Sequence, residues 1–202
     1  VVVGQGIDTD RFKPGQHNNQ GIKIVSVGRI SPSKDYETLI RAITLLEDKN
    51  ISVEIAGEPA VKNDSEYFFK LKKLIDKNNL ADKVSFIGLV ANKNLPEFLQ
   101  SADIFVNMSH TGSLDKAVLE AMACGLPILT CNEALETVLG PYAEELMYSK
   151  GNHEKLTEGL GRLISMSSDE RERLGLALRE IVVKKHNLRG LIGWISQSLG
   201  TT

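Results

Sequence analysis

Ser109-His110-Thr111-Gly112-Ser113-Leu114-Asp115-Lys116-Ala117-Val118-Leu119-Glu120-Ala121-Met122-Ala123-Cys124-Gly125-Leu126-Pro127 is the stretch on which the reading of this chain turns. The apolar run Ile104-Phe105-Val106 leads into it as a buried strand. Ser109 to Leu114 is small, polar and glycine-containing, which suits a tight strand-to-helix turn. Asp115 to Cys124 reads as a helix, with Val118, Leu119 and Met122 on one face. Gly125 and Pro127 stop it, and Ile128-Leu129 opens the next buried strand. A loop that opens onto a helix N-terminus presents unpaired N–H groups and the positive end of the helix dipole. That is a site for an anion such as a phosphate. Glu120 lies on the side of the helix away from Val118 and Met122, where its carboxylate can accept hydrogen bonds from hydroxyls. The same residues have a plainer reading. Asp115 suits the dipole of any helix, and Lys116 with Glu120 is an ordinary i,i+4 ion pair in the weaker order.

Working outward, the same alternation repeats. Lys23 to Arg29 reads as a buried parallel strand, followed by a turn at Ser31 to Asp35 and a helix to about Asp48. Ser52 to Ala56 is a strand ended by Gly57-Glu58-Pro59, and Ser65 to Asn79 an amphipathic helix. Val84 to Ile87, ended by Gly88, is the next strand, followed by a short helix over Leu95 to Ala102. After Thr130 come a short helix at Glu133 to Val138 and a short strand at Glu145 to Tyr148. Helices follow at His153 to Ser165, Asp169 to Lys185 and Leu188 to Leu199, the last carrying Trp194. Strand and helix alternate about six times, which predicts right-handed βαβ units. The expected fold class is α/β, a doubly wound, Rossmann-like parallel sheet of about six strands with helices on both faces. In such sheets the ligand lies beyond the carboxyl ends of the strands. Each polar cluster follows a strand: Gly28-Arg29 to Lys34, Gly57-Glu58, Gly88, and Ser109 to Lys116. They are expected along one edge.

Composition narrows the function classes. The 202 residues are 42% apolar and 25% charged, with a net charge of −2 and a pI near 6.1. That is an ordinary globular balance, without the basic footprint of a nucleic-acid binder. No apolar run approaches the ~20 residues of a membrane span. Cys124 and Cys131 suit a reducing cytosol as small core residues. No Cys/His cluster has metal-ligand spacing. The start, Val1-Val2-Val3-Gly4-Gln5-Gly6-Ile7-Asp8, reads as an excised fragment without a signal peptide.

Arg29 and Lys34 flank the first strand-to-helix turn. A planar fork of donors and a compact cation together suit a diphosphate, although two solvated surface cations would look the same. Neither G-x-G-x-x-G nor G-x-x-x-x-G-K-[ST] occurs, which argues against a nicotinamide dinucleotide site and a Walker-type hydrolase. His110 stands beside the turn as an acid or base, more often a structural residue. Ser109, Thr111 and Ser113 are hydroxyl donors, and no Ser-His-Asp set follows from spacing.

The motifs, taken in order, resemble the C-terminal, nucleotide-sugar-binding domain of a group 1 glycosyltransferase of the two-domain GT-B fold. Gly6-Ile7-Asp8 with Phe12 and Pro14 is similar to the family's N-G-V-D…F-x-P, with Gln5 for the usual Asn. Val27-Gly28-Arg29-Ile30…Lys34 and Leu39-Ile40-Arg41-Ala42 match V-G-R-L…K-G…L-I-x-A. Ile55-Ala56-Gly57-Glu58 resembles I-V-G-x-G, without its second glycine. Val84 to Val90 matches V-x-F-x-G-x-V, and Leu119 to Pro127 matches L-E-A-M-A-C-G-x-P. The resemblance runs nearly end to end.

It implies that residues 1–202 are the C-terminal half of a GT-B enzyme, without the acceptor-binding N-terminal domain, and that 186–202 forms the closing helix. It implies a retaining glycosyltransferase of hexosyl type, using a nucleoside-diphosphate-sugar with a uracil or guanine base in glycan or polysaccharide synthesis. Arg29, Lys34 and Glu120 are then the catalytic residues: the two cations hold the diphosphate and Glu120 the ribose hydroxyls. Gly28, Gly88, Leu89 and Val90, and the turn Thr111, Gly112, Ser113, Leu114, Asp115 and Lys116, are donor-binding. The expected partners are the donor and a glycan, lipid-linked or small-molecule acceptor, with no nucleic acid. No cofactor or metal is expected, and Asp8-Thr9-Asp10 is read as loop structure. The expected location is cytoplasmic, with peripheral association of the whole protein at the inner membrane face. One departure stands out. The family's first glutamate falls at Gly112, so either Asp115 or Lys116 takes over its contacts or the domain only binds. The alternatives are a non-catalytic nucleotide-sugar-binding module and a nucleotide-sugar epimerase of related fold.

Overall fold

A computed structural model describes residues 5–15, 21–47, 50–109 and 111–198, with side chains as far as Gly193. The elements run β1 (Ile22–Val27), α1 (Tyr36–Leu45), β2 (Ile51–Ala56), α2 (Lys62–Lys77), β3 (Val84–Gly88), α3 (Leu95–Gln100) and β4 (Ile104–Asn107). They continue with α4 (Lys116–Ala123), β5 (Ile128–Thr130), α5 (Glu136–Leu139), α6 (Ala143–Leu146), α7 (His153–Ser165), α8 (Ser168–Lys185) and α9 (Leu188–Ser198).

The described strands form one five-stranded parallel sheet in the order β3-β2-β1-β4-β5. β1 pairs with β2 from Ile22↔Ile51 to Val27↔Ala56, and with β4 at Ile24↔Ile104 and Val25↔Phe105. Every residue of β4 and β5 is buried. Successive strand residues face opposite sides, so unbroken burial requires a cover on both faces. Helices provide it, with α1 packed on α2 and α7, and α4 packed on α8. The order reverses between β1 and β4. The chain leaves β1 toward β2 and leaves β4 toward β5, which opens a crevice between their carboxyl ends.

The sheet has five strands where the sequence suggested about six. Glu145 to Tyr148 does not add a strand: Ala143–Leu146 forms α6, and only Met147 bridges Thr130. The acidic, helix-favouring Ala143-Glu144-Glu145 leaves a single extended residue to pair. The helix expected from Asp35 to Asp48 is shorter, ending at Leu45. Residues 16–20 and His110 lie outside the described residues, as does the Trp194 side chain.

The opening loop is fastened by the last two helices. Ile7 N donates to His186 O at 2.7 Å, and Leu188 N donates to Ile7 O at 2.9 Å. Phe12 is fully packed into the core. Arg179 of α8 donates to the carbonyls of Phe12 (2.7 Å), Thr9 (3.1 Å) and Ala123. Its cation thereby satisfies an orphan carbonyl at the negative end of α4. Asp8 accepts from the amides of Asp10 and Arg11 at 3.2 and 3.1 Å, and Asp10 pairs with Arg189 at 2.7 Å. Asp8 is thus engaged within the loop, while Asp10 reaches the start of α9.

Two helical glycines separate packing from propensity. A Cβ on Gly175 of α8 would lie 1.8 Å from the Gly125 carbonyl oxygen, whereas one on Gly161 of α7 would meet nothing. Gly161→Ala is expected to stabilise the protein by about 0.5–1 kcal/mol. Gly175→Ala is expected to cost more than about 2 kcal/mol, since α8 must lift off α4. Urea melts of the two variants test this, and equal effects would contradict the packing.

Candidate functional site

The crevice between β1 and β4 collects most of the polar chemistry. Gly28 and Arg29 follow β1, and a short 3₁₀ turn over Pro32–Lys34 carries Lys34. β4 ends in Asn107, and the turn to α4 ends in Asp115. Lys34 Nζ lies 2.5 Å from Asp115 Oδ2 and 3.3 Å from Ser109 Oγ. Asp115 Oδ2 also accepts from Asn107 Nδ2 at 3.1 Å, and its Oδ1 accepts from Ala117 N at 3.2 Å. Asp115 is therefore the N-cap of α4. The helix end expected to be open to an anion already has an internal carboxylate on it. The sequence offered Asp115 as a contact to sugar or phosphate; the structure gives it a partner in Lys34.

The rest of the turn is held from several sides. Ser109, Thr111 and Ser113 form a run of hydroxyls at 3.2 and 3.3 Å. Gln5 Nε2 donates to Leu114 O and Asn132 Nδ2 to Ser113 O, both at 2.7 Å. Gly112 has φ +65° and an added Cβ there would meet nothing. A side chain at 112 thus has room, but the left-handed backbone disfavours any residue other than glycine.

Glu120 points from α4 into a buried setting, 3% exposed. Its Oε1 lies 3.4 Å from Lys116 Nζ, so the i,i+4 pair exists. Oε1 has no well-directed hydrogen bond among the described residues. Burial raises the Glu120 pKa, opposed first by the Lys116 charge and also by Arg11. A buried carboxylate with spare acceptor capacity suits a diol that brings two hydroxyl hydrogens.

Arg29 and the loop after β3 lie on the other half of the sheet. Arg29 is 59% exposed at its side chain, with Nε 3.8 Å from the buried Asp64 Oδ2 at the start of α2. Arg29 and Lys34 share the turn after β1, but each has its own acid. Gly88 ends β3 at the sheet edge, and Leu89 and Val90 follow it. Glu58 Oε1 accepts from Leu89 N at 3.4 Å, and Arg11 donates to Asn92 O. Gly57 is needed here for close approach, since a Cβ on it would lie 1.9 Å from Gly28 O. The largest hollow of those described, about 640 Å³, lies at the opposite edge beside Gly21, Asp103 and Pro127, away from these cations.

Three positioning residues were not singled out in the sequence. Asn107 holds Asp115, Ser109 N (3.3 Å) and Thr130 Oγ1 (3.2 Å). Asn132 holds Ser113, and Arg11 spans from the opening loop to Asn92. A buried polar residue closing an apolar strand is the signal that could have found Asn107.

A family model for glycosyl transferases group 1 matches residues 7–180. The chain belongs to the group 1 glycosyltransferases. Mannosylfructose-phosphate synthase of Agrobacterium fabrum is 27% identical over 140 residues, covering 62% of this chain and 31% of that protein. The C-terminal domain of the group 1 protein LpcC of Francisella tularensis superposes with a TM-score of 0.80 at 23% identity, covering 91% of this chain and 100% of that one. Anabaena Alr3699/HepE, in complex with UDP and glucose, superposes with a TM-score of 0.85 at 15% identity, covering 100% of this chain and 57% of that one. The two likenesses carry the fold, a GT-B Rossmann-like domain of the C-terminal kind. This glycosyltransferase chain spans about a third of the length of the relatives it matches in sequence.

Glu120 gives a pH prediction. Its folded pKa lies above its unfolded value, so the folded state binds this proton more tightly. Its ionisation therefore opposes folding at neutral pH, and the penalty fades as pH falls through the raised value. Glu120→Gln is expected to melt higher than wild type at pH 7, with the advantage shrinking as the pH is lowered. A variant that melts lower at pH 7 in a thermal scan would contradict this.

Proposed function

We propose that this chain is the donor-binding half of a retaining, hexosyl-type glycosyltransferase that uses a nucleoside-diphosphate-sugar. The observation that carries the reading is the convergence of Lys34, the α4 N-terminal turn and the buried Glu120 at the point where the strand order reverses. Family membership gives the reaction class, and HepE, solved with UDP and glucose, is the precedent for the donor.

The chemistry follows from the residues. Departure of the sugar from the diphosphate leaves negative charge on the leaving oxygen. Preorganised cations lower the barrier by meeting that charge where it develops. Lys34 is the cation at the crevice, Arg29 reaches from the same turn toward the start of α2, and Lys116 stands 56% exposed beside Glu120. Glu120 fixes the ribose by accepting its hydroxyls, so the diphosphate arrives in register with the cations. Gly28 leaves backbone free to approach the phosphates, and the Gly88, Leu89 and Val90 loop faces the base. Thr111, Ser113 and Leu114 line the sugar end of the turn. The donor is handled without a metal ion.

Among the described residues no helix is long and apolar enough to cross a membrane. The whole protein acts in the cytoplasm, peripheral to the inner membrane face when its acceptor is lipid-linked. Its other half binds the acceptor, a glycan, lipid-linked or small molecule, and α9 reaches back toward that half. Alone, this chain binds donor weakly and transfers no sugar.

Calorimetric titration with UDP, GDP and ADP, with and without magnesium, tests the reading. One diphosphate is expected to bind selectively and equally well without the metal. Arg29→Ala and Glu120→Ala are each expected to weaken it by roughly tenfold. Unchanged affinity in both variants, or no binding of any diphosphate, would overturn the assignment.

A further inference from the structure

We infer that Asp115 is a built-in competitor for the donor's phosphates: it holds Lys34 across the crevice and sets how tightly an anion is bound there. The inference rests on the proposed role of Lys34 toward the diphosphate.

The geometry is specific. Lys34 belongs to the turn after β1 and Asp115 to the turn after β4, the two neighbouring strands at which the order reverses. Their 2.5 Å ion pair therefore bridges the crevice in which a ligand of this fold class lies. Both side chains are largely withdrawn from solvent, at 20% and 12% exposure, so the pair is less screened than a surface bridge. Asp115 is anchored independently of Lys34, by Ala117 N at one oxygen and Asn107 Nδ2 at the other. It has no freedom to follow the lysine away.

Lys34 is nearly used up. An ammonium has three N–H donors. One goes to Asp115 Oδ2 and one to Ser109 Oγ, which leaves one for a ligand. With a carboxylate at 2.5 Å, an approaching anion meets a neutral pair rather than a free cation. Lys116, in the same turn, is likewise paired with Glu120, and Arg29 with Asp64. An anion must thus draw Lys34 from a fixed internal rival, which a diphosphate, with more charge and more acceptor oxygens, does better than a monophosphate. The device favours diphosphate over weaker anions, at the expense of affinity.

Asp115→Asn isolates the charge. Asparagine is as good an N-cap as aspartate, so α4 keeps its start. The experiment is calorimetric titration of wild type, Asp115→Asn, Lys34→Met and the double variant with UDP, UMP and uridine, and with the guanosine series in parallel. The Asp115→Asn variant is expected to bind the diphosphate roughly three- to tenfold more tightly. Its gain for the monophosphate is expected to be at least as large, uridine or guanosine binding to be unchanged, and the diphosphate gain to shrink in high salt. In the Lys34→Met background the same substitution is expected to have no effect. Thermal melts of each variant establish that it is folded.

Diphosphate affinity that is unchanged or lower in folded Asp115→Asn, while Lys34→Met still weakens binding, overturns the competitor role and leaves the donor site standing. If neither wild type nor Asp115→Asn binds any phosphate ligand, or if Lys34→Met binds as wild type, the donor-site reading fails and the inference falls with it. A gain that persists in the Lys34→Met background also overturns it, because the charge of Asp115 would then act directly on the ligand.

Discussion

The pairing of β1 with β4 is the constraint on which the rest of this structure depends. It rests on two residue pairs, Ile24↔Ile104 and Val25↔Phe105, all four buried. The first three strands are laid on one side of it and β5 on the other. The strand-end loops of the two halves therefore part at that seam, and Lys34 and Asp115 meet across it. Had β4 added next to β3 instead, the turn before α4 would lie at the far edge from Lys34. The site is a consequence of strand order, and strand order is a consequence of which apolar runs are buried on both faces.

Packing of the helices then fixes how accurately the turn is held. Gly175 lets α8 press against Gly125, just past the end of α4, while Arg179 satisfies the carbonyl of Ala123. At the other end of α4, Asp115 caps the helix and Asn107 holds Asp115. The eight-residue helix is thereby tied at both ends. Glu120 lies between, at the position where a buried charge is least comfortable. A residue kept ionisable against the pull of its surroundings marks a functional position, although structural pairs do the same. Here it has Lys116 beside it and an oxygen without a well-directed donor.

Much of the fold was legible because its signals are local. Ile104-Phe105-Val106 and Ile128-Leu129 are short apolar runs that flank the turn and helix and form buried strands, and Gly125 with Pro127 stops α4 where expected. The error at Glu145 to Tyr148 came from a segment too short for periodicity to separate helix from strand. Gly28, Arg29, Lys34 and Gly88 were legible because glycine and charge after a strand are visible in one dimension, whereas Leu89, Val90 and the ribose role of Glu120 came from the family resemblance. What they do to one another was not visible. The Lys34–Asp115 pair joins residues separated by |i−j|=81, and the Arg179 contacts reach back to Thr9 and Phe12. Asn107 and Asn132 read as ordinary strand and turn residues until the buried groups they satisfy are seen. The left-handed backbone of Gly112 was likewise out of reach of sequence.

The measurement that tests the central claim most directly is a crystal structure of this chain with the bound nucleoside diphosphate. The account predicts phosphate oxygens within hydrogen-bonding distance of Lys34 Nζ at the start of α4, with the ribose hydroxyls on Glu120. A nucleotide seated elsewhere, such as the 490 Å³ hollow beside Gln5 and His186 or the opposite edge of the sheet, would contradict it.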